Sequence, residues 1–105
     1  MDAHTLAELR AAREAGGRLY HEFLRVPSMS AGYYRLAADG IDPQSPHAED
    51  EIYVIVAGRA WITVGELERA VSPGDVVFVA AAVPHRFHDI SEDLEMVVVF
   101  APAET

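Results

Sequence analysis

The stretch Gln44-Ser45-Pro46-His47-Ala48-Glu49-Asp50-Glu51-Ile52-Tyr53-Val54-Ile55-Val56-Ala57-Gly58 constrains this chain most, because a histidine and a glutamate lead into an apolar run that ends in glycine. Side chains on a strand alternate between faces, so His47 and Glu51, four apart, are expected to point the same way. An imidazole and a carboxylate aimed at one point inside a closed sheet are costly to bury unpaired, and a divalent cation is the simplest group that satisfies both. Pro84-His85-Arg86-Phe87-His88 supplies a further histidine on another strand. His47, Glu51 and His85 are therefore read as ligands of one metal ion.

The rest of the chain breaks into short apolar runs separated by glycine and proline. Residues 4–15 read as a helix with Thr5 as N-cap and Glu8 in capping-box position, ended by Gly16-Gly17. Its apolar face is thin, so it is expected to lie across a sheet or a partner subunit. Leu19 to Val26 and Met29 to Ala38 read as strands parted by Pro27-Ser28. Ile52 to Val56 is apolar at every position and is expected to be buried on both faces, and Val76 to Val79 reads as a buried strand. Gly58-Arg59 and Gly65-Glu66 read as turns, and Leu94 to Phe100 as the strand that closes a barrel. Ala101-Pro102-Ala103-Glu104-Thr105 reads as a loose tail.

The first stretch resembles motif 1 of the cupin superfamily, Gly-x5-His-x-His-x3-Glu-x6-Gly. His47, Glu51 and Gly58 fall on its second histidine, its glutamate and its closing glycine. Ser45 holds the place of the first histidine, with Gln44 beside it, and Gly40 sits one residue late for the opening glycine. Gly74 to Asp89 is similar to motif 2, Gly-x5-Pro-x-Gly-x2-His-x3-Asn. Gly74 and His85 match, while Ala80, Ala82 and Asp89 replace the proline, the second glycine and the asparagine. The resemblance implies a small single-domain cupin of the RmlC-like, conserved-barrel type: an all-β antiparallel double-stranded β-helix, a jelly-roll barrel, with a short N-terminal helix. One domain is expected over 1–105, with helix and lead-in at 1–18 and barrel at 19–101. The resemblance also implies a homodimer through the N-terminal strands.

Composition narrows the partners. Seventeen acidic residues against eight basic ones leave a net charge of −9, which repels phosphate backbones and anionic membranes alike, so neither nucleic acid nor a membrane is an expected partner. The start, Met1-Asp2-Ala3-His4-Thr5-Leu6, has neither a basic segment nor an apolar run of signal length. There is no cysteine, which removes disulfides, thiolate zinc sites and cysteine nucleophiles. The expected location is cytoplasmic.

Two imidazoles and a carboxylate leave coordination positions open for water, substrate or dioxygen, and suit one divalent ion per chain, iron(II) favoured and zinc, manganese or nickel possible. Gln44 is a candidate fourth ligand through its amide oxygen, Ser45 a lesser one. Glu49 and Tyr53 are candidate catalytic residues. His88 and Asp89 are candidates for supporting a ligand imidazole, and Tyr20, His21, Tyr33, Tyr34, Arg35, Tyr53 and Trp61 for lining a cavity. An inward arginine would favour a carboxylate-bearing substrate. The resemblance implies a metal-dependent enzyme acting on a small oxygenated molecule, as a dioxygenase or an isomerase or lyase. The alternative is a non-catalytic sensor, carrier or pathway accessory that binds metal or a small molecule.

Overall fold

The computed structural model describes residues 1–105 as one helix and six strands: α1 (Leu6–Gly16), β1 (Tyr20–Val26), β2 (Met29–Leu36), β3 (Asp50–Val64), β4 (Leu67–Val71), β5 (Val76–Val79) and β6 (His85–Ala101). Every strand pairing is antiparallel. The strand order is β1-β2-β6-β3-β4, with β5 also on β3. β3 and β6 are the spine. They pair along nearly their whole lengths, from Asp50↔Ala101 to Val64↔His85, so whatever lies at the start of one meets the end of the other.

Gly58 is not a hairpin turn, as its context suggests, but an interior position of β3. Its φ is +88°, and a Cβ there would collide with the backbone carbonyl of Asp93. Register shifts cluster around it, between Ile55 and Ala57, Ala57 and Arg59, and Arg59 and Trp61. Bulges bend a pair of strands and raise their twist. On one side of the bend β3 carries β5 (Glu51↔Val79), on the other β4 (Ala60↔Val71). The expected strand at Leu94–Phe100 is the second half of β6, continuous with His85.

The barrel expected from the sequence is not closed. β1 pairs only with β2, while β4 and β5 pair only with β3, so the hydrogen-bonded path has free edges. The arrangement is that of a folded sheet around one apolar cluster, in which Tyr53, Ile55, Ile62, Phe87, Leu94, Met96, Val98 and Phe100 are almost wholly buried.

Burial along β3 corrects a second expectation. Tyr53 and Ile55 face the core, whereas Ile52 is 40% exposed; Val76 and Phe78 of β5, on the same outer face, are about 60% exposed. Apolar residues at consecutive positions therefore do not mean burial on both faces here. On the outer face α1 lies over β1 and β2. Thr5 caps that helix by accepting from the Glu8 N–H at 3.1 Å, and Gly17 ends it in the left-handed region at φ +72°. Leu9 is its one buried side chain, and Arg10 reaches Glu95 of β6 at 2.8 Å above the buried Tyr33.

Candidate metal centre

His47 does not lie on a strand. It sits in the lead-in before Asp50, where Gly40, Pro43 and Pro46 hold the chain out of regular structure. Two contacts fix this segment. The Ala82 N–H donates to the His47 carbonyl at 2.7 Å, which ties the segment to the bend just before His85. Asp42, almost buried, accepts from the Gln44 N–H at 3.3 Å and from the Tyr34 hydroxyl at 2.7 Å through one oxygen, and from the Phe87 N–H and the Gln44 amide, at 2.9 and 2.8 Å, through the other. Because the Gln44 NH2 is committed to Asp42, its oxygen must point the other way, towards His47 and Tyr53.

Glu51 opens the inward face of β3 and His85 opens β6. Candidate ligand atoms of His47, Glu51 and His85 lie within 4.8 Å of one another. The expected trio thus converges, with the side chains of Glu51 and His85 only 1% exposed. His85 Nε2 is 2.8 Å from Glu51 Oε1 and 3.0 Å from the Tyr53 hydroxyl, and its Nδ1 faces the Val83 carbonyl at 2.9 Å. His47 Nε2 is 3.1 Å from Gln44 Oε1, and its Nδ1 is 3.0 Å from Glu104 Oε2. Tyr53 donates to Gln44 Oε1 at 3.0 Å. Glu51 Oε2 is buried and has no partner.

Counted by role, this cluster has too many acceptors. Both nitrogens of each imidazole face an acceptor, yet a neutral imidazole has a single N–H. The Tyr53 hydroxyl is the one further donor between them, and one oxygen of a buried carboxylate has none. Such a set needs positive charge at its centre, supplied by extra protons or by a cation. Protonation responds accordingly: burial pushes His85 down, but hydrogen bonds to Glu51 and to the Val83 carbonyl outweigh it and leave the imidazole above its ordinary range. Burial, together with the nearby Glu51, pushes the Tyr53 phenol far up, so that it keeps its proton. Neutral nitrogen donors, a carboxylate and an amide oxygen are a donor set that suits a divalent transition metal. The residues present fit such an ion.

Beside the cluster opens a cavity of about 280 Å³, lined by Leu19, Tyr20, Tyr34, Pro43, Gln44, His47, Val98, Phe100 and Glu104. Several expected cavity residues lie elsewhere. Tyr33 is beneath α1, His21 pairs beside it, Trp61 is 44% exposed, and Arg35 pairs with Asp93 at 2.9 Å. No arginine lines the cavity. Ser45 is exposed and takes no part. Glu49, although buried, turns to Thr105, whose hydroxyl donates to it at 2.9 Å. His88 contacts Thr63 and Asp89, at 2.7 and 2.6 Å, so Asp89 holds His88 and not a candidate ligand.

Asp42 and Glu104 were not anticipated. Asp42-Pro43 carries a usable signal, since an aspartate commonly accepts from the N–H two residues on in a turn. Glu104 carries none, because its contact with His47 spans 57 residues in the chain (104 − 47).

Over its full length the chain is 51% identical to an uncharacterized protein of Streptomyces coelicolor, which it covers completely. Among solved structures it is similar to TT1209 of Thermus thermophilus, at a TM-score of 0.75 and 22% identity over 98% of this chain and 99% of that one. It is also similar to the DMSP lyase DddQ of Ruegeria pomeroyi, at a TM-score of 0.72 and 22% identity over 96% of this chain but 66% of that one. At such identities the likeness is one of fold. The family model described as "Cupin domain" matches residues 32–101, a span that takes in most of β2, the lead-in with its histidine, both long strands and all three candidate ligands. With strand order, motif residues and family model in agreement, the chain belongs to the cupins.

Proposed function

We propose that this cupin, one domain over 1–105, is a metal-dependent enzyme acting on a small oxygenated molecule. His47, Glu51 and His85 hold one divalent ion per chain, iron(II) before zinc, manganese or nickel, and Gln44 Oε1 is a fourth donor. The observation that carries this reading is the excess of acceptors around a buried carboxylate oxygen that has no partner. When bound, the ion would supply Lewis-acid polarisation of a substrate oxygen and, as iron(II), a site for dioxygen.

The chain's own residues supply the rest. Tyr53, held protonated, donates to Gln44 Oε1 and so holds that proposed fourth donor in place beside His85. Phe100, Val98 and Leu19 make the apolar wall of the cavity, which limits water at the site. The acidic group lining the cavity is Glu104, so the pocket disfavours a carboxylate-bearing substrate and favours a neutral or cationic one. These features support an isomerase or lyase, or a dioxygenase, over a carrier. The protein is read as a cytoplasmic homodimer paired through its N-terminal strands: β1 is a free edge, and Leu19, Val26 and Met29 near it are exposed.

The test is a metal analysis of protein purified without a histidine tag, before and after loading with each ion, followed by dioxygen uptake and conversion assays on neutral and cationic small molecules. About one ion per chain is expected, with turnover that is lost in the His47→Ala, His85→Ala double variant. A wild-type protein that retains no ion, or turnover unchanged in the variant, would sink the reading.

A further inference from the structure

The residues after β6 do not trail away. They cross back over the mouth of the candidate centre and are pinned at several points. The Ala103 N–H donates to the Pro27 carbonyl at 3.4 Å, the Glu104 N–H to the hydroxyl of the buried Ser30 at 2.9 Å, and Arg25 to the Glu104 carbonyl at 2.7 Å. Thr105 donates twice to Glu49 Oε2, from its N–H at 3.3 Å and its hydroxyl at 2.9 Å. The pins span the β1–β2 turn, β2 and the lead-in to β3. Between these pins the Glu104 side chain turns inward, where its carboxylate meets His47 Nδ1 at 3.0 Å.

The two imidazoles are then held alike. His85 Nδ1 faces a backbone carbonyl, His47 Nδ1 faces a carboxylate, and in both rings Nε2 is the atom turned towards the cluster. A ring whose Nδ1–H is engaged by an acceptor is locked in the tautomer that offers Nε2 as a lone-pair donor. For His85 the lock is built into its own strand entry. For His47, on an irregular segment with a half-buried ring, the lock must come from elsewhere.

We propose that Glu104 is the positioning residue of this centre: the strap formed by residues 102–105 carries a carboxylate to His47, fixes its tautomer and ring orientation, and so completes the metal site. Glu49, a catalytic candidate on sequence grounds, is in this arrangement an anchor of the strap. The inference rests on the metal reading above, although its first consequence, the His47 tautomer, exists without any ion.

The full chain and its Glu104→Ala and Glu104→Gln variants are compared in two measurements. Long-range proton–nitrogen NMR of the metal-free and zinc-loaded protein reads which His47 nitrogen carries the proton. Titration with cobalt(II) and zinc(II) reads affinity. In wild type and Glu104→Gln, whose amide oxygen still accepts from Nδ1–H, His47 is expected as the Nδ1–H tautomer, with zinc on Nε2. Glu104→Ala should lose that single tautomer and bind metal about 10- to 100-fold more weakly, the usual cost of removing such a support. His47 signals and affinity unchanged in Glu104→Ala overturn the inference alone. Equal loss in both variants also overturns it, since charge and not the hydrogen bond would then matter. No binding by wild type overturns the metal reading and this inference with it.

Discussion

Asp42 shows how much of the centre hangs on a residue that touches none of His47, Glu51 and His85. Each of its oxygens accepts two hydrogen bonds, so that every lone pair of the carboxylate faces a donor: the Tyr34 hydroxyl, the Phe87 N–H and two N–H groups of Gln44. Asparagine is a poor replacement, because its NH2 would face donors at one of those positions. Asp42→Asn and Asp42→Ala are both expected to lower stability by about 2–4 kcal/mol, the range for stranding buried partners of a charged acceptor. Both should also weaken metal binding, because the Gln44 amide is then free to rotate. Denaturant unfolding and a cobalt(II) titration check the two effects; a Gln44 role confined to packing would show the first without the second. The convergence of His47, Glu51 and His85 is legible in the sequence because motif spacing fixes where each falls relative to the long strands. The supports around them are not, with the exception of the turn signal at Asp42-Pro43. Strand parity alone would have put Glu49 with the ligands, but His47 and Glu49 precede β3, where alternation does not apply.

At the level of elements, most strands and the helix follow from local punctuation, while their lengths and burial do not. Gly58 falls where a turn is expected, yet β3 runs through it, because a bulge lets a long strand bend without ending. The exposed outer face of β3 and β5 was misread for a related reason: valine and isoleucine report strand propensity whether or not a second layer covers them. Where a cover does exist, it is α1, and its attachment is polar. Burial alone would push the Glu95 carboxyl up, but hydrogen bonds from Tyr33 and Arg10 outweigh it and hold the group below the ordinary glutamate range. A carboxyl depressed on folding adds stability above its unfolded pKa, and that contribution disappears as pH falls through the lower, folded value. The docking of α1 is therefore expected to weaken at pH below the ordinary glutamate range and to be indifferent to pH near neutrality. Hydrogen exchange of the α1 amides and of Tyr33 across an acid series reads this directly. Glu95→Gln should show the weakened state at neutral pH already, and exchange equal in that variant and wild type at neutral pH would remove Glu95 as the tether.

For the molecule as a whole, the candidate centre sits where an open sheet most needs a fastening. Its candidate ligands come from the lead-in to β3, from β3 itself and from the first residue of β6, and the strap after β6 crosses the same place. Hydrogen bonds do not join the free edges of the sheet, so an ion at this point ties segments that the strand ladder leaves separate. Anything that binds the folded chain and not the unfolded one stabilises it by mass action, about 2.7 kcal/mol at a free concentration one hundred times the dissociation constant. At about 4 °C per kcal/mol for a chain of this size, that amounts to a rise in melting temperature of about 10 °C. The rise should grow with the logarithm of metal concentration, reverse on chelation, and vanish in His47→Ala, whose half-buried position makes it the gentlest ligand to remove. Thermal unfolding with zinc(II), manganese(II) and nickel(II) in turn, and with iron(II) kept anaerobic, ranks the ions by the same measurement. A melting temperature that ignores all of them would mean that the acceptors are satisfied by protons instead, and the cluster would then be a buried polar network in the wall of a ligand cavity.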